Sequence, residues 1–291
     1  MLDALTILPF ALLLAAVLGL WIHRFAWMAA LVSSIGAGYH TGALHGPAAL
    51  WIAIAAMLAI AYRLARSRAQ AARPGRSLQL VAGLAFFIYG VAMGLALLPG
   101  FVRVELVAAQ VLSPGAEPYA LAVGFPKVVI GILVLGLVNP DLLGRSQWGP
   151  TLARAAPIYL FTTVVSLACV YALGYTRFAP HWSSLFLLWA PVNLFFTCLS
   201  EEAFFRGFVQ QELSQARRAY FTALTALVVA AALFGLAHAG GGASYVLIAT
   251  VAGLGYGWAL LRTRRIEAAM AVHFGLNATH FLLFVYPRLA P

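Results

Sequence analysis

The chain contains successive apolar runs of about twenty residues, and these runs restrict its fold more than any other feature. A helix crosses the hydrocarbon core of a bilayer with roughly 20 apolar residues, and in lipid a helix satisfies its own backbone hydrogen bonds. The sequence therefore predicts an all-α fold, a polytopic transmembrane helix bundle with nine or ten spans. The expected spans are residues 5–22, two within 25–62, then 78–98, 119–138, 157–175, 185–205, 221–237, 244–261 and 266–286.

The charged residues agree with a membrane protein. Only 9% of residues are charged, against about 25% in soluble domains. Of the 18 basic residues, seventeen are arginines that lie mostly in gaps between apolar runs, as in cytoplasmic membrane loops. If residues 63–76 are cytoplasmic, thirteen arginines fall inside and only Arg103, Arg177 and Arg288 outside. This predicts an outside N-terminus and, with ten spans, an outside C-terminus.

The net charge of +10 does not indicate nucleic-acid binding, which needs a basic face on a folded soluble domain. Contact of residues 63–76 with anionic membrane lipids is a second interpretation of that segment. Cys169 and Cys198 lie inside apolar runs, so no disulfide framework is expected. The first run lacks a basic flank and a cleavage site, and we interpret it as a span rather than a signal peptide. A Pro-, Gly- and polar-rich segment, residues 139–151, indicates a boundary between residues 1–140 and residues 141–291.

Ionisable residues inside predicted spans are costly and need an explanation. Lys127 follows Pro126 early in its span, where its side chain is expected to reach the interface. Glu201 and Glu202 are adjacent carboxylates in an apolar run. Glu202 and Arg206 have the i,i+4 spacing of a helix salt bridge, which leaves Glu201 for chemistry. The alternative is that both carboxylates only cap the span at the interface.

His238 ends the next predicted span, and its spacing relates it to Glu201. The hairpin between the two helices is expected to turn near residues 217–220, about eighteen residues from each side chain. Both would then lie roughly 27 Å from the turn, at about 1.5 Å per residue, and would face each other. This requires the helix that carries Glu201 to continue past Arg206 toward Gln215.

The last span carries His273 and Asn277, which share a helix face at i,i+4. One carboxylate, two imidazoles and a carboxamide can form a hydrolytic site. The Glu can deprotonate a water, and a His and an Asn can donate hydrogen bonds to an oxyanion. The same Glu and His side chains could instead bind zinc with an open position.

Three motifs resemble those of the CPBP family, which contains CAAX prenyl endopeptidases and the Abi group. Glu201-Glu202-Ala-Phe-Phe-Arg206 is similar to EExxxR, Phe234-Gly-Leu-Ala-His238 to FxxxH, and His273-Phe-Gly-Leu-Asn277 to HxxxN. The resemblance implies an intramembrane protease core in residues 141–291. It implies that Glu201 with His238 activates a water, that His273 and Asn277 stabilise the oxyanion, and that Arg206 holds the motif through Glu202. The N-terminal helices, residues 1–140, keep no assigned role.

The resulting hypothesis is an intramembrane endopeptidase that cuts a membrane protein or lipidated protein near the C-terminus of that substrate. The expected reaction uses no cofactor, and a zinc-dependent reaction is the variant. The expected location is the bacterial inner membrane, with membrane lipids as further partners and no nucleic acid. The alternative is a non-catalytic scaffold or immunity-type protein with the same fold. A transporter would be expected to show internal repeats, and the sequence shows no such period.

Overall fold

The computed structural model describes residues 4–71, 75–144, 148–215 and 222–290. Its residues group into two compact units. Unit 1 comprises Met1–Val104, Val123–Leu143 and Phe195–Phe204, and unit 2 comprises Glu105–Ala122, Gly144–Leu194 and Phe205–Pro291. The turn expected near residues 217–220 lies outside the described residues.

Helices form most of unit 1, as the apolar runs predict. They are α1 Ala4–Ile22, α2 Ala26–Thr41, α3 Ala48–Ala71, α4 Gly75–Gly94 and α5 Phe125–Leu133, which a π-helical segment Val134–Val138 extends. The expected division of residues 25–62 into two helices is confirmed, because α2 ends at Gly42, whose φ of 78° favours glycine.

Close contacts between helices organise unit 1. A Cβ at Gly19 would lie 2.8 Å from the backbone nitrogen of Trp27, so only glycine lets α1 and α2 approach this closely. The Ser34 hydroxyl donates to the Pro9 carbonyl across the same pair, at 2.7 Å. Helix α5 lies at the centre of the unit, since its residues are buried except Pro126 and Lys127.

Unit 2 contains the longer C-terminal helices and a β-hairpin. The hairpin strands are β1 Val104–Gln110 and β2 Tyr119–Val123. The helices of unit 2 are α6 Trp148–Ala172, α7 Phe186–Val192, α9 Gln211–Gln215, α10 Ala223–Leu236, α11 Ala243–Thr263 and α12 Ile266–Leu283. Helix α8, Leu199–Glu202, lies between α7 and α9 in the chain and belongs to unit 1.

Two expected span boundaries were wrong. The span expected at residues 119–138 begins as strand β2, and helix begins only at Phe125. Helix α6 begins at Trp148 rather than near residue 157, with Pro157 inside it. A membrane helix tolerates an internal proline because neighbouring groups satisfy the freed backbone.

The stretch between Phe186 and Gln215 is helical without a break along the chain. Two of its segments, Asn193–Cys198 and Ala203–Gln210, are π-helical and flank α8. The expected continuation of this helix past Arg206 to Gln215 is confirmed.

Five helices among the described residues are long and apolar enough to cross a membrane. They are Ala4–Ile22, Ala48–Ala69, Arg76–Gly94, Trp148–Ala172 and Ala243–Thr263. The chain is therefore a helical membrane protein whose described residues contain five candidate spans, and the larger number of nine or ten stays a prediction.

Candidate active site

In unit 1, Glu201 on α8 pairs with a lysine that the sequence interpretation had assigned to the interface. The Lys127 Nζ lies 3.3 Å from Glu201 Oε1. The Glu201 side chain is 10% exposed and that of Lys127 is 54% exposed. The ammonium of Lys127 therefore forms an ion pair with the candidate catalytic carboxylate, and the interfacial position expected from the sequence stays a prediction.

A glycine brings these two helices together. A Cβ at Gly131 on α5 would lie 2.9 Å from the Cα of Ser200 on α8, and a real Cβ essentially never approaches another heavy atom so closely. Gly131 is four residues after Lys127, so both lie on one face of α5. The close approach at Ser200 therefore carries Lys127 to the neighbouring Glu201.

In unit 2, His238 directly follows α10, where the chain turns. Its Nδ1 lies 2.7 Å from the carbonyl oxygen of Phe234. A carbonyl only accepts hydrogen bonds, so Nδ1 carries the proton that is donated. In the neutral ring the lone pair is then on Nε2, the form that can accept a proton or a hydrogen bond.

Two aromatic side chains orient His273. The Tyr256 ring stacks on the imidazole at a centroid distance of 4.3 Å and an interplanar angle of 12°. The Phe234 ring meets it edge to face at 5.9 Å, and Phe234 also lies 4.6 Å from the ring of His238. Both imidazoles therefore contact Phe234, the first residue of the FxxxH motif.

Asn277 lies one turn after His273 on α12. Its Nδ2 donates to Oδ1 of Asn193 at 3.2 Å. This hydrogen bond orients the Asn277 carboxamide toward Asn193. Tyr159 on α6 holds the same helix, with its hydroxyl 2.8 Å from that of Thr279.

Arg206 is fully buried and contacts residues distant in sequence. Its Nη2 donates to the Gly253 carbonyl at 2.9 Å. Its guanidinium lies 4.4 Å from the centre of the Phe234 ring and 5.2 Å from that of Tyr256, within cation–π range. Arg206 thus supports the two rings that contact the histidines.

The structure brings His238, His273 and Asn277 into unit 2, whereas Glu201 and Glu202 belong to unit 1. The approach of Glu201 to His238 and the pairing of Glu202 with Arg206 stay predictions.

Sequence reasoning missed the contact of Lys127 with Glu201 and did not identify Tyr256 or Gly253. No local pattern relates Lys127 to Glu201, since they are 74 positions apart. Tyr256 and Gly253 lie in Gly253-Leu-Gly-Tyr-Gly257, a run of small residues that indicates close helix packing and could have drawn attention to this helix.

Within the described ranges, no group of three or more His, Cys, Asp or Glu side chains is arranged to hold a metal ion.

A family model described as Type II CAAX prenyl endopeptidase Rce1-like matches residues 181–279. Residues 181–279 are Rce1-like. The resemblance to CAAX prenyl endopeptidases is thereby confirmed for about a third of the chain, and the Rce1-like segment includes Glu201, His238, His273 and Asn277. No curated protein and no solved structure matches the chain.

Proposed function

We propose that the chain is an intramembrane endopeptidase that hydrolyses a peptide bond near the C-terminus of a membrane or lipidated protein. The observation that carries the proposal is the Rce1-like match over residues 181–279, because this segment contains the polar residues that the proposed hydrolysis requires. We further propose nine or ten spans and residence in the bacterial inner membrane.

In the proposed reaction Glu201, assisted by His238, takes a proton from water. The hydroxide oxygen attacks the scissile carbonyl carbon, and the electron pair of the C=O bond moves to the oxygen. His273 and Asn277 donate hydrogen bonds to this oxyanion. When the C–N bond breaks, the leaving nitrogen takes the proton from Glu201. The hydrogen bond of His238 Nδ1 to Phe234 supports its role, since it fixes the ring in the tautomer whose Nε2 accepts a proton.

The test is cleavage of a membrane-anchored substrate by purified protein in lipid. We expect Glu201→Gln to lower kcat by roughly 10²–10⁴-fold, the usual contribution of a general base. We expect Asn277→Ala to cost about 10²–10³-fold, as for one oxyanion donor. Substrates can be identified by comparing the proteome of the wild-type strain with those of a deletion strain and a Glu201→Gln strain and looking for C-termini that stay unprocessed in both.

Matched controls are Glu212→Gln, which removes a carboxylate later in the same helical stretch, and His280→Phe, which keeps a ring on the helix of His273. Both should retain activity. Unchanged cleavage by Glu201→Gln and His238→Ala would reject the glutamate-dependent mechanism, whereas no cleavage by the purified wild type would favour the scaffold or immunity-type alternative. Metal analysis of the same samples tests the zinc variant, since stoichiometric zinc lost together with activity would contradict a metal-free mechanism.

A further inference from the structure

We propose that Lys127 is a positioning residue for Glu201, so that the N-terminal part of the chain supplies one side chain of the active centre. The inference rests on the proposed function, because it assigns Lys127 a role in the step that Glu201 performs. Lys127 lies outside the Rce1-like segment, residues 181–279.

The burial of α5 singles out Lys127. The residues of this helix are buried except for Pro126, which is partly buried, and Lys127, which is exposed. An exposed ammonium beside lipid chains is strongly unfavourable, so the open side of Lys127 must face water or polar groups. Hydrolysis at Glu201 needs such a hydrated surrounding.

The ion pair itself contributes little to stability. Pairs with one largely exposed partner are usually weak, and the separation of 3.3 Å between Nζ and Oε1 is not short. The packing of Gly131 against Ser200 nevertheless fixes the two helices at backbone contact. The scaffold thus holds Lys127 at Glu201 although the pair adds little to folding.

The ammonium can act on the carboxylate in two ways. It contacts Oε1 and so restricts the rotation of the carboxylate, which leaves a defined lone pair for the attacking water. It also balances the negative charge of Glu201 before proton transfer. When the proton from water reaches Glu201, the positive charge of Lys127 remains nearby and balances the oxyanion at longer range.

Substitutions give the first test, with kcat and KM measured separately. We expect Lys127→Met to lower kcat by about 10–100-fold, the effect of a misplaced catalytic group, with KM changed less than about threefold. Lys127→Arg keeps the charge and should restore kcat to within a few fold of the wild type. Arg66→Met is the matched control, because Arg66 donates to Asn139 Oδ1 in the same unit at 2.7 Å; it should retain kcat.

Chemical modification gives a second test that needs no loss of a side chain. Lys127 is the only lysine in the sequence, so an amine-acetylating reagent can modify only Lys127 and the α-amino group. We expect acetylation to inactivate the wild type, while the lysine-free Lys127→Arg variant stays active. Mass spectrometry should show faster acetylation of Lys127 in Glu201→Gln, where the carboxylate no longer holds the ammonium.

The outcomes separate the two proposals. If Glu201→Gln is inactive but Lys127→Met and acetylated wild type keep kcat, the role of Lys127 is rejected and the protease stands. If Glu201→Gln keeps full activity, the glutamate-dependent mechanism of the proposed function is rejected, and the acetylation rates then decide whether the ion pair itself exists. Equal acetylation rates in wild type and Glu201→Gln would contradict the pair.

Discussion

Asn193 holds Asn277 through one neutral hydrogen bond, and its loss should be visible in the rate. Asn193→Ala removes the acceptor of the Asn277 amine, so the carboxamide can rotate. We expect kcat to fall by about 2–12-fold, the equivalent of 0.5–1.5 kcal/mol for such a bond, with little change in KM. The measurement is steady-state cleavage in lipid.

The control for Asn193→Ala is Ser34→Ala, which removes the buried hydrogen bond of Ser34 to Pro9 in unit 1. Both variants should lose a similar amount of thermal stability, but only Asn193→Ala should lower kcat. Equal kcat values for the two variants would show that Asn193 only supports the fold.

Single residues also show which parts of the candidate site can be predicted from the sequence. The candidates His273 and Asn277 follow from helix spacing, since both lie on one helix. Lys127 and Glu201 are 74 positions apart, and no local pattern relates them. Arg206 was assigned to Glu202 by i,i+4 spacing, yet its observed contacts include Gly253 and Phe234, which only the packing of three helices brings together.

Among the elements, the helix that carries Glu201 departs most from a regular α-helix. Its π-helical segments have i→i+5 hydrogen bonds and therefore wider turns than an α-helix. The side-chain directions calculated at 3.6 residues per turn thus depart increasingly from the real ones along Asn193–Gln210. Such segments occur frequently at functional sites. The existence of this helix could be predicted from its apolar run, but the register of its polar side chains could not.

The hairpin was missed for a different reason. Val104–Gln110 and Tyr119–Val123 are short and apolar, and a short apolar run does not distinguish a strand from a helix. Ser113-Pro114-Gly115 between them is a turn signal that lies between two expected spans and so does not alter a pattern of twenty-residue apolar runs.

Close packing of α6 and α11 yields a prediction at the level of elements. A Cβ at Gly255 would lie 2.0 Å from Thr162 Oγ1 and 2.4 Å from Cγ2. Thr162 is β-branched and therefore stiff at χ1, so it cannot move aside cheaply. We expect Gly255→Ala to destabilise the protein by about 1–3 kcal/mol, the usual cost of overpacking, as measured by thermal unfolding in detergent.

A compensating substitution makes this test specific. Thr162→Gly opens the space that the new methyl group needs, so the double variant should recover part of the stability that Gly255→Ala loses. Gly36→Ala is the control, because nothing lies within 4 Å of a Cβ there. Additive losses in the double variant would mean that the two helices do not meet at these residues.

At the scale of the whole molecule, an extended cluster joins the hairpin to the C-terminus in unit 2. We call it the cap; it comprises residues 114–117, 175–181 and 282–290. Its backbone hydrogen bonds include Glu117 N to Arg288 O at 3.0 Å and Ala290 N to Gly115 O at 2.9 Å. The hairpin turn and the C-terminus therefore lie on the same side of any membrane that the chain crosses.

The cap accounts for two of the three arginines that the orientation rule leaves outside. Arg177 Nη2 donates to the Pro114 carbonyl at 3.1 Å, and Arg288 Nε donates to Glu117 Oε2 at 2.7 Å. The hydrogen bond to Glu117 raises the pKa of Arg288. Because these arginines serve local contacts, their position does not contradict a cytoplasmic location of residues 63–76.

Membrane orientation can now be tested with single cysteines in a background that lacks Cys169 and Cys198. Six spans are expected after the hairpin turn, and an even number returns the chain to the side from which it started, in agreement with the cap.

We expect Val111→Cys, at a position 58% exposed, and Ala290→Cys to react with a membrane-impermeant thiol reagent on intact cells. Arg68→Cys, at the exposed end of α3, should react only after permeabilisation, because the arginine-rich segment of residues 63–76 is expected on the cytoplasmic side. Reaction of Val111→Cys and Ala290→Cys from opposite sides would contradict the cap. Reaction of both only from inside would keep the cap but invert the predicted orientation.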